Sequence, residues 1–184
     1  LVVTLWFRWY YSLWGFIRFT SSFRRVRPGG DGSLIKITEG GEINTFVEDL
    51  NGPNGVTHVG NKILAALNSA SEILIVDEND PDSATVLPNT EEIPFPDNLV
   101  KDSPTSFLVT GITSRFNMLA LCDGFGGSFC NLESAVFRYD LSTNTTTELY
   151  SSEMLGQPTV ALIKDNIMYL GIIRTNSLLI IEGL

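Results

Sequence analysis

Three prolines, Pro53, Pro104 and Pro158, each precede a side chain that carries an oxygen: Asn54, Thr105 and Thr159. In the repeat these three residues occupy equivalent positions. Their chemistry alone is modest, because a threonine hydroxyl is neutral, a weaker ligand than carboxylate and far too weakly acidic to serve as a base. Other catalytic patterns are missing. His58 is the single histidine, which excludes a multi-histidine zinc site and His-Glu-x-x-His. No Gly-x-Ser-x-Gly elbow occurs, and Gly124–Phe125–Gly126–Gly127 lacks the Lys–Ser/Thr that completes a phosphate-cradling loop. The acids of Asp77–Asp82 lack the glycine of an EF-hand and include Pro81, so they read as a solvated turn. Glu91, Glu92 and Asp97 read as loop charges, and Asp123 follows a strand-like run that would point it towards a channel mouth.

The elements that must position these residues repeat about every 50 residues. Pro53–Val56, Asn61–Ala65 and Ile73–Asp77 match, without gaps, Pro158–Val160, Asn166–Leu170 and Leu178–Glu182. A third copy runs from Pro104 through Asn117–Leu121 and Val136–Asp140. Short apolar runs separated by Gly, Asn, Asp and Pro, with no sustained helical period, predict an all-β fold. Repeats of this length predict a β-propeller with one four-stranded sheet per blade. The first full blade is expected at Gly55–Val59, Lys62–Leu67, Glu72–Asp77 and Ala84–Leu87, and the second at Phe107–Ile112, Asn117–Cys122, Ala135–Asp140 and Thr146–Tyr150. A third blade begins at Thr159–Ile163 and continues through Ile167–Ile172 and Leu178–Glu182. Upstream, Ser33–Thr38 and Ile43–Glu48 form the outer half of another blade. The expected architecture is an incomplete propeller, about three to three and a half four-stranded blades of a six-bladed ring. It would be a fragment or the product of a defective reading frame, and its exposed blade edges would favour self-association.

Composition divides the chain. The first 28 residues carry five arginines and no acid, leaving seven bases against 21 acids in the rest. Nine of the 19 aromatic residues lie in residues 1–23. Arg8 and Arg18 interrupt this stretch too often for a spanning helix of about 20 apolar residues. Residues 1–28 are therefore expected to stand outside the native fold, with 29–184 forming the partial propeller. The acidic body argues against nucleic acid as a partner. Cys122 and Cys130 flank a glycine-rich loop that leaves room for a disulfide, and Asn144–Thr145–Thr146 is an N-glycosylation sequon. Together they point to a secreted protein.

The passage Gly52–Val59, with Asn61–Leu64 and Ile73–Asp77, resembles the gluconolactonase/regucalcin (senescence marker protein) group of six-bladed propellers. The resemblance covers roughly residues 30–184 and implies that Asn54 is a ligand of a catalytic divalent metal such as calcium. It also implies a Pro-Asp-Gly in the next blade, whose Asp would be ligand and general base. Aligned on the repeat, that place reads Pro104–Thr105–Ser106. On this alignment the chain is a degenerate or truncated gluconolactonase-like propeller, a non-catalytic binding scaffold with no cofactor of its own. Its partner would be a small molecule or protein at the propeller mouth, near Asn54, Thr105, Thr159 and Asp123. The alternative is a piece of a divalent-metal-dependent lactone or ester hydrolase with Asn54 as one ligand.

Overall fold

Alternating side chains of one strand serve two different cores. In Lys62–Leu67, Leu64 and Ala66 pack with Phe107, Val109, Phe137 and Tyr139, while Ile63, Ala65 and Leu67 pack with Leu34, Leu50 and Val76. A strand buried on both faces reads as a continuous apolar run, as this one does. The computed structural model describes residues 2–5, 30, 32–112, 133–152, 157–173 and 178–183.

Among these residues the structure is all-β, with no helix and four antiparallel sheets. The first joins β1 (Val2–Leu5), β2 (Gly32–Ile37) and β3 (Ile43–Leu50). The second is β4 (Pro53–Val59), β5 (Lys62–Leu67), β6 (Glu72–Asp77) and β7 (Asp80–Val86). The third is β8 (Leu99–Lys101), β9 (Ser106–Ile112), β10 (Ser134–Asp140) and β11 (Thr145–Ser152). The fourth is β12 (Gln157–Lys164), β13 (Ile167–Ile173) and β14 (Leu178–Glu182). In each sheet the strands follow chain order, as hairpins joined edge to edge. Tight turns make this possible. Asp165 and Asn166 both adopt positive φ (53° and 59°) between β12 and β13, the backbone that a two-residue hairpin turn needs.

The sheets stack face to face as blades of a β-propeller. One core lies between the first and second sheets, one between the second and third, and one between the third and fourth, where Leu108 and Val136 meet Ala161, Met168 and Leu170. The strands β1, β4, β8 and β12 begin their sheets and neighbour one another across blades. On the opposite face of the fourth sheet, Leu162, Leu178 and Ile180 are each about half exposed.

Two expectations need correction. Val2–Leu5 pairs with β2, in register Val2 with Lys36 to Leu5 with Ser33, so these four residues join the sheet they were expected to stand outside. Residues 6–29 lie outside the described residues. The second full blade is also displaced by one strand. Ser106–Ile112 pairs with β10 on one side and with β8 on the other, so it is the second strand of its sheet and not the innermost. The innermost strand is Leu99–Lys101, only three residues long and preceded by Pro94 and Pro96, which lack the N–H that a longer ladder would use. The segment 117–122 lies outside the described residues.

The core between the second and third sheets centres on Phe107, stacked on Tyr139 with ring centroids 5.4 Å apart. The Tyr139 hydroxyl donates to the Pro88 carbonyl at 2.8 Å. Phe107→Ala is expected to cost about 3–5 kcal/mol and Tyr139→Phe about 1 kcal/mol in urea unfolding. Equal losses would contradict a packed inter-blade core at Phe107.

Candidate functional site

The inner strands bring their starting residues to one place. Pro96–Asp97–Asn98–Leu99 is the counterpart of Pro53–Asn54–Gly55–Val56, each leading into the first strand of its sheet. Pro158–Thr159–Val160 does the same in β12. Asn54 Nδ2 donates to Asp97 Oδ1 at 2.8 Å, although 43 residues separate the two. Asn98 Nδ2 donates to the same oxygen at 3.1 Å and to the Thr159 carbonyl at 2.9 Å. Three consecutive blades thus meet through one carboxylate and two amides.

The backbone holds them there. Gly55 N donates to the Asp97 carbonyl at 3.0 Å, and Asp97 N donates to the Thr110 carbonyl at 2.9 Å. A Cβ at Gly55 would sit 2.5 Å from Asn98 Cα and 2.7 Å from the Asp97 carbonyl, so only glycine lets the second blade's loop approach. Asn68 Nδ2 donates to the carbonyls of Phe95 (3.0 Å) and Pro96 (3.1 Å), fixing the turn that delivers Asp97. Phe95 itself takes a positive φ of 43°, with its N–H on Ser71 Oγ at 3.3 Å. The Thr159 carbonyl also accepts from Thr110 Oγ1 at 2.8 Å and from Asn98 N at 3.2 Å.

Asp97 is partly buried, and that burial pushes its carboxyl up to about 6, against a smaller lowering effect of the Asn54 amide. Its Oδ2 accepts no hydrogen bond among the described residues, while Oδ1 accepts two. Among the described residues the carboxylate thus has one oxygen anchored by two amides and one that accepts no hydrogen bond. It was legible only as a loop charge because β8 is too short to stand out as a strand. The signal that could have found it is the Pro-Asp-Asn-Leu pattern itself, matching Pro-Asn-Gly-Val residue for residue.

The other expected residues fall as follows. Thr105 is exposed in the turn between β8 and β9, where its carbonyl accepts from Leu141 N at 2.8 Å. It is not at the start of an inner strand, and the place assigned to it belongs to Asp97. Thr159 is at such a start, but its hydroxyl points to the Gly171 carbonyl at 3.4 Å. Asp123, Cys122 and Cys130 lie outside the described residues. Asn144 is exposed in the β10–β11 turn at φ 53°, with Oδ1 accepting from Tyr139 at 3.3 Å. His58 forms an exposed pair with Glu78 at 2.9 Å. Among the described residues no group of three or more His, Cys, Asp or Glu gathers as a metal cluster. The groups that converge on Asp97 Oδ1 are two amide N–H donors, so the acid supplies the one negative charge of this cluster and the amide oxygens of Asn54 and Asn98 are the neutral oxygens beside it.

No protein-family model matches the chain, and no curated protein matches it in sequence. Solved structures do. A chain of a nidogen/laminin complex superposes with a TM-score of 0.60 at 15% identity, over 84% of this chain and 58% of that one. A luciferin-regenerating enzyme superposes at 0.53 and 12% identity, over 77% of this chain and 44% of that one. An oligogalacturonate lyase in complex with manganese also scores 0.53, at 14% identity, over 76% of this chain and 39% of that one. The chain spans well under two thirds of each of these structures, and at such identities the likeness establishes the fold: this is a β-propeller-type chain.

Proposed function

We propose that this chain forms the cation-binding mouth of a six-bladed, gluconolactonase-like propeller, and that the protein hydrolyses a lactone or related ester. The observation that carries this reading is the 2.8 Å contact between Asn54 and Asp97 at the starts of successive inner strands. In this reading the acid that the resemblance implies is Asp97, which precedes the third sheet's inner strand, and not the position of Thr105. In this reading Asp97 Oδ2 and the amide oxygen of Asn54 would hold a divalent cation, with further oxygen ligands from water or other residues. Such a cation, when bound, polarises a carbonyl and makes bound water more acidic.

The chain's own contribution is positioning and negative charge. Burial favours the neutral carboxyl of Asp97, so a positive charge placed beside it would relieve the cost of ionising it. The two amides hold Oδ1, so Oδ2 is the oxygen that would meet the cation, and with the cation there the carboxylate would stay ionised. A second reading, a propeller that binds a small molecule or protein without turnover, is favoured by the single carboxylate among the described residues that meets this mouth.

Lactone hydrolysis by the full-length protein is expected to require added divalent cation, stop with chelator, and fall by about 10²-fold or more in kcat/KM in Asp97→Asn. Cation binding without any lactone or ester turnover would favour the scaffold reading. The same residue sets a pH dependence. The Asp97 carboxyl sits at about 6 in the folded chain against an ordinary 3.8, so the folded state binds more protons between those values. Its contribution to stability is therefore greatest below about pH 4, declines as pH rises towards 6, and is flat above. The decline amounts to at most about 3 kcal/mol, reduced by the solvent that still reaches the group. In cation-free urea melts, wild type should lose stability relative to Asp97→Asn across this window. A constant difference would show that Asp97 titrates as an ordinary exposed acid.

A further inference from the structure

The resemblance leads one to expect glycine after the second blade's Asp, yet this chain places Asn98 there. Its amide nitrogen has two hydrogens and two acceptors in different blades: Asp97 Oδ1 at 3.1 Å and the Thr159 carbonyl at 2.9 Å. Glycine would supply neither bond. Aspartate would set a second negative charge against the first and present oxygens where donors are needed. Asparagine is the side chain of this length that supplies both hydrogens from one nitrogen. The backbone N–H of Asn98 also reaches the Thr159 carbonyl, at 3.2 Å, so the residue is anchored to the next blade before its side chain reaches back to the acid.

We propose that Asn98 is a positioning residue that ties Asp97 to the third of the three blades and leaves Oδ2 as the atom presented to a ligand. One of its two bonds holds Asp97 Oδ1 and the other ties the same amide nitrogen to the third blade's backbone. Outer partners of this kind hold a ligating carboxylate in place before the ion arrives. Thr110 provides an internal control, since Thr110 Oγ1 donates to the same Thr159 carbonyl at 2.8 Å but makes no side-chain bond to Asp97. Its side chain shares the inter-blade clasp without bonding the carboxylate, and Thr110→Val keeps the backbone carbonyl that accepts from Asp97 N.

This inference rests on the cation reading for one of its two tests only. In manganese titration calorimetry of the full-length protein, Asn98→Ala is expected to weaken binding about 10-fold or more. Thr110→Val should change it by less than about twofold. Equal weakening in both variants would reduce Asn98 to a structural clasp and overturn the proposal, while leaving the cation site intact. If wild type takes up no manganese, or Asp97→Asn binds as wild type does, the functional reading fails instead. The second test needs no cation: urea unfolding of Asn98→Ala, Asp97→Asn and the double variant. A destabilisation by Asn98→Ala that shrinks when Asp97 is already Asn supports the coupling, and strictly additive losses overturn it.

Discussion

The second and third sheets of this chain each have two apolar faces, and neither face can be left to water. Strands such as β5 and β9 send alternate side chains into separate cores, so a sheet is satisfied only with a neighbour on either side. Stacking twisted antiparallel sheets under this constraint fans them about an axis, with the first strand of each nearest its counterparts. The meeting of Asn54, Asp97 and Thr159 follows from that arrangement, since each stands at the start of an inner strand. The site is a consequence of blade packing before it is a feature of any one loop.

The fold was largely legible because its strands obey both rules of local pattern. The β5 and β6 boundaries were readable to the residue, since Gly60 and Asn61 mark one turn and Asn68–Ser71 the next. The second full blade was harder. Its inner strand is three residues long and begins after two prolines, so β-propensity has almost nothing to act on. The stronger apolar run Phe107–Ile112 took its place in the alignment. Because strand identity in a propeller is set by order from the axis, that single displacement put Thr105 where Asp97 belongs.

The site was half legible for the same reason. Asn54 was identifiable from Pro53 and Gly55 around it, and the structure explains that glycine by the close approach of Asp97 and Asn98. Asp97 looked like one loop acid among several in an acidic chain. What distinguishes it from Glu91 and Glu92 is its environment, with partial burial and two amide donors on one oxygen. One donor is the next residue, Asn98, but the other, Asn54, stands 43 positions away in the preceding blade, and no local pattern encodes that contact.

In the proposed reading the mouth formed by Asn54 and Asp97 holds a divalent cation. The most direct measurement is an anomalous-difference map from crystals of the full-length protein grown with manganese. A peak about 2.0–2.6 Å from Asp97 Oδ2, with the Asn54 amide oxygen beside it, is the predicted result. A map with no peak at Asp97, or an experimental structure in which Asp97 stands apart from Asn54, would contradict the account.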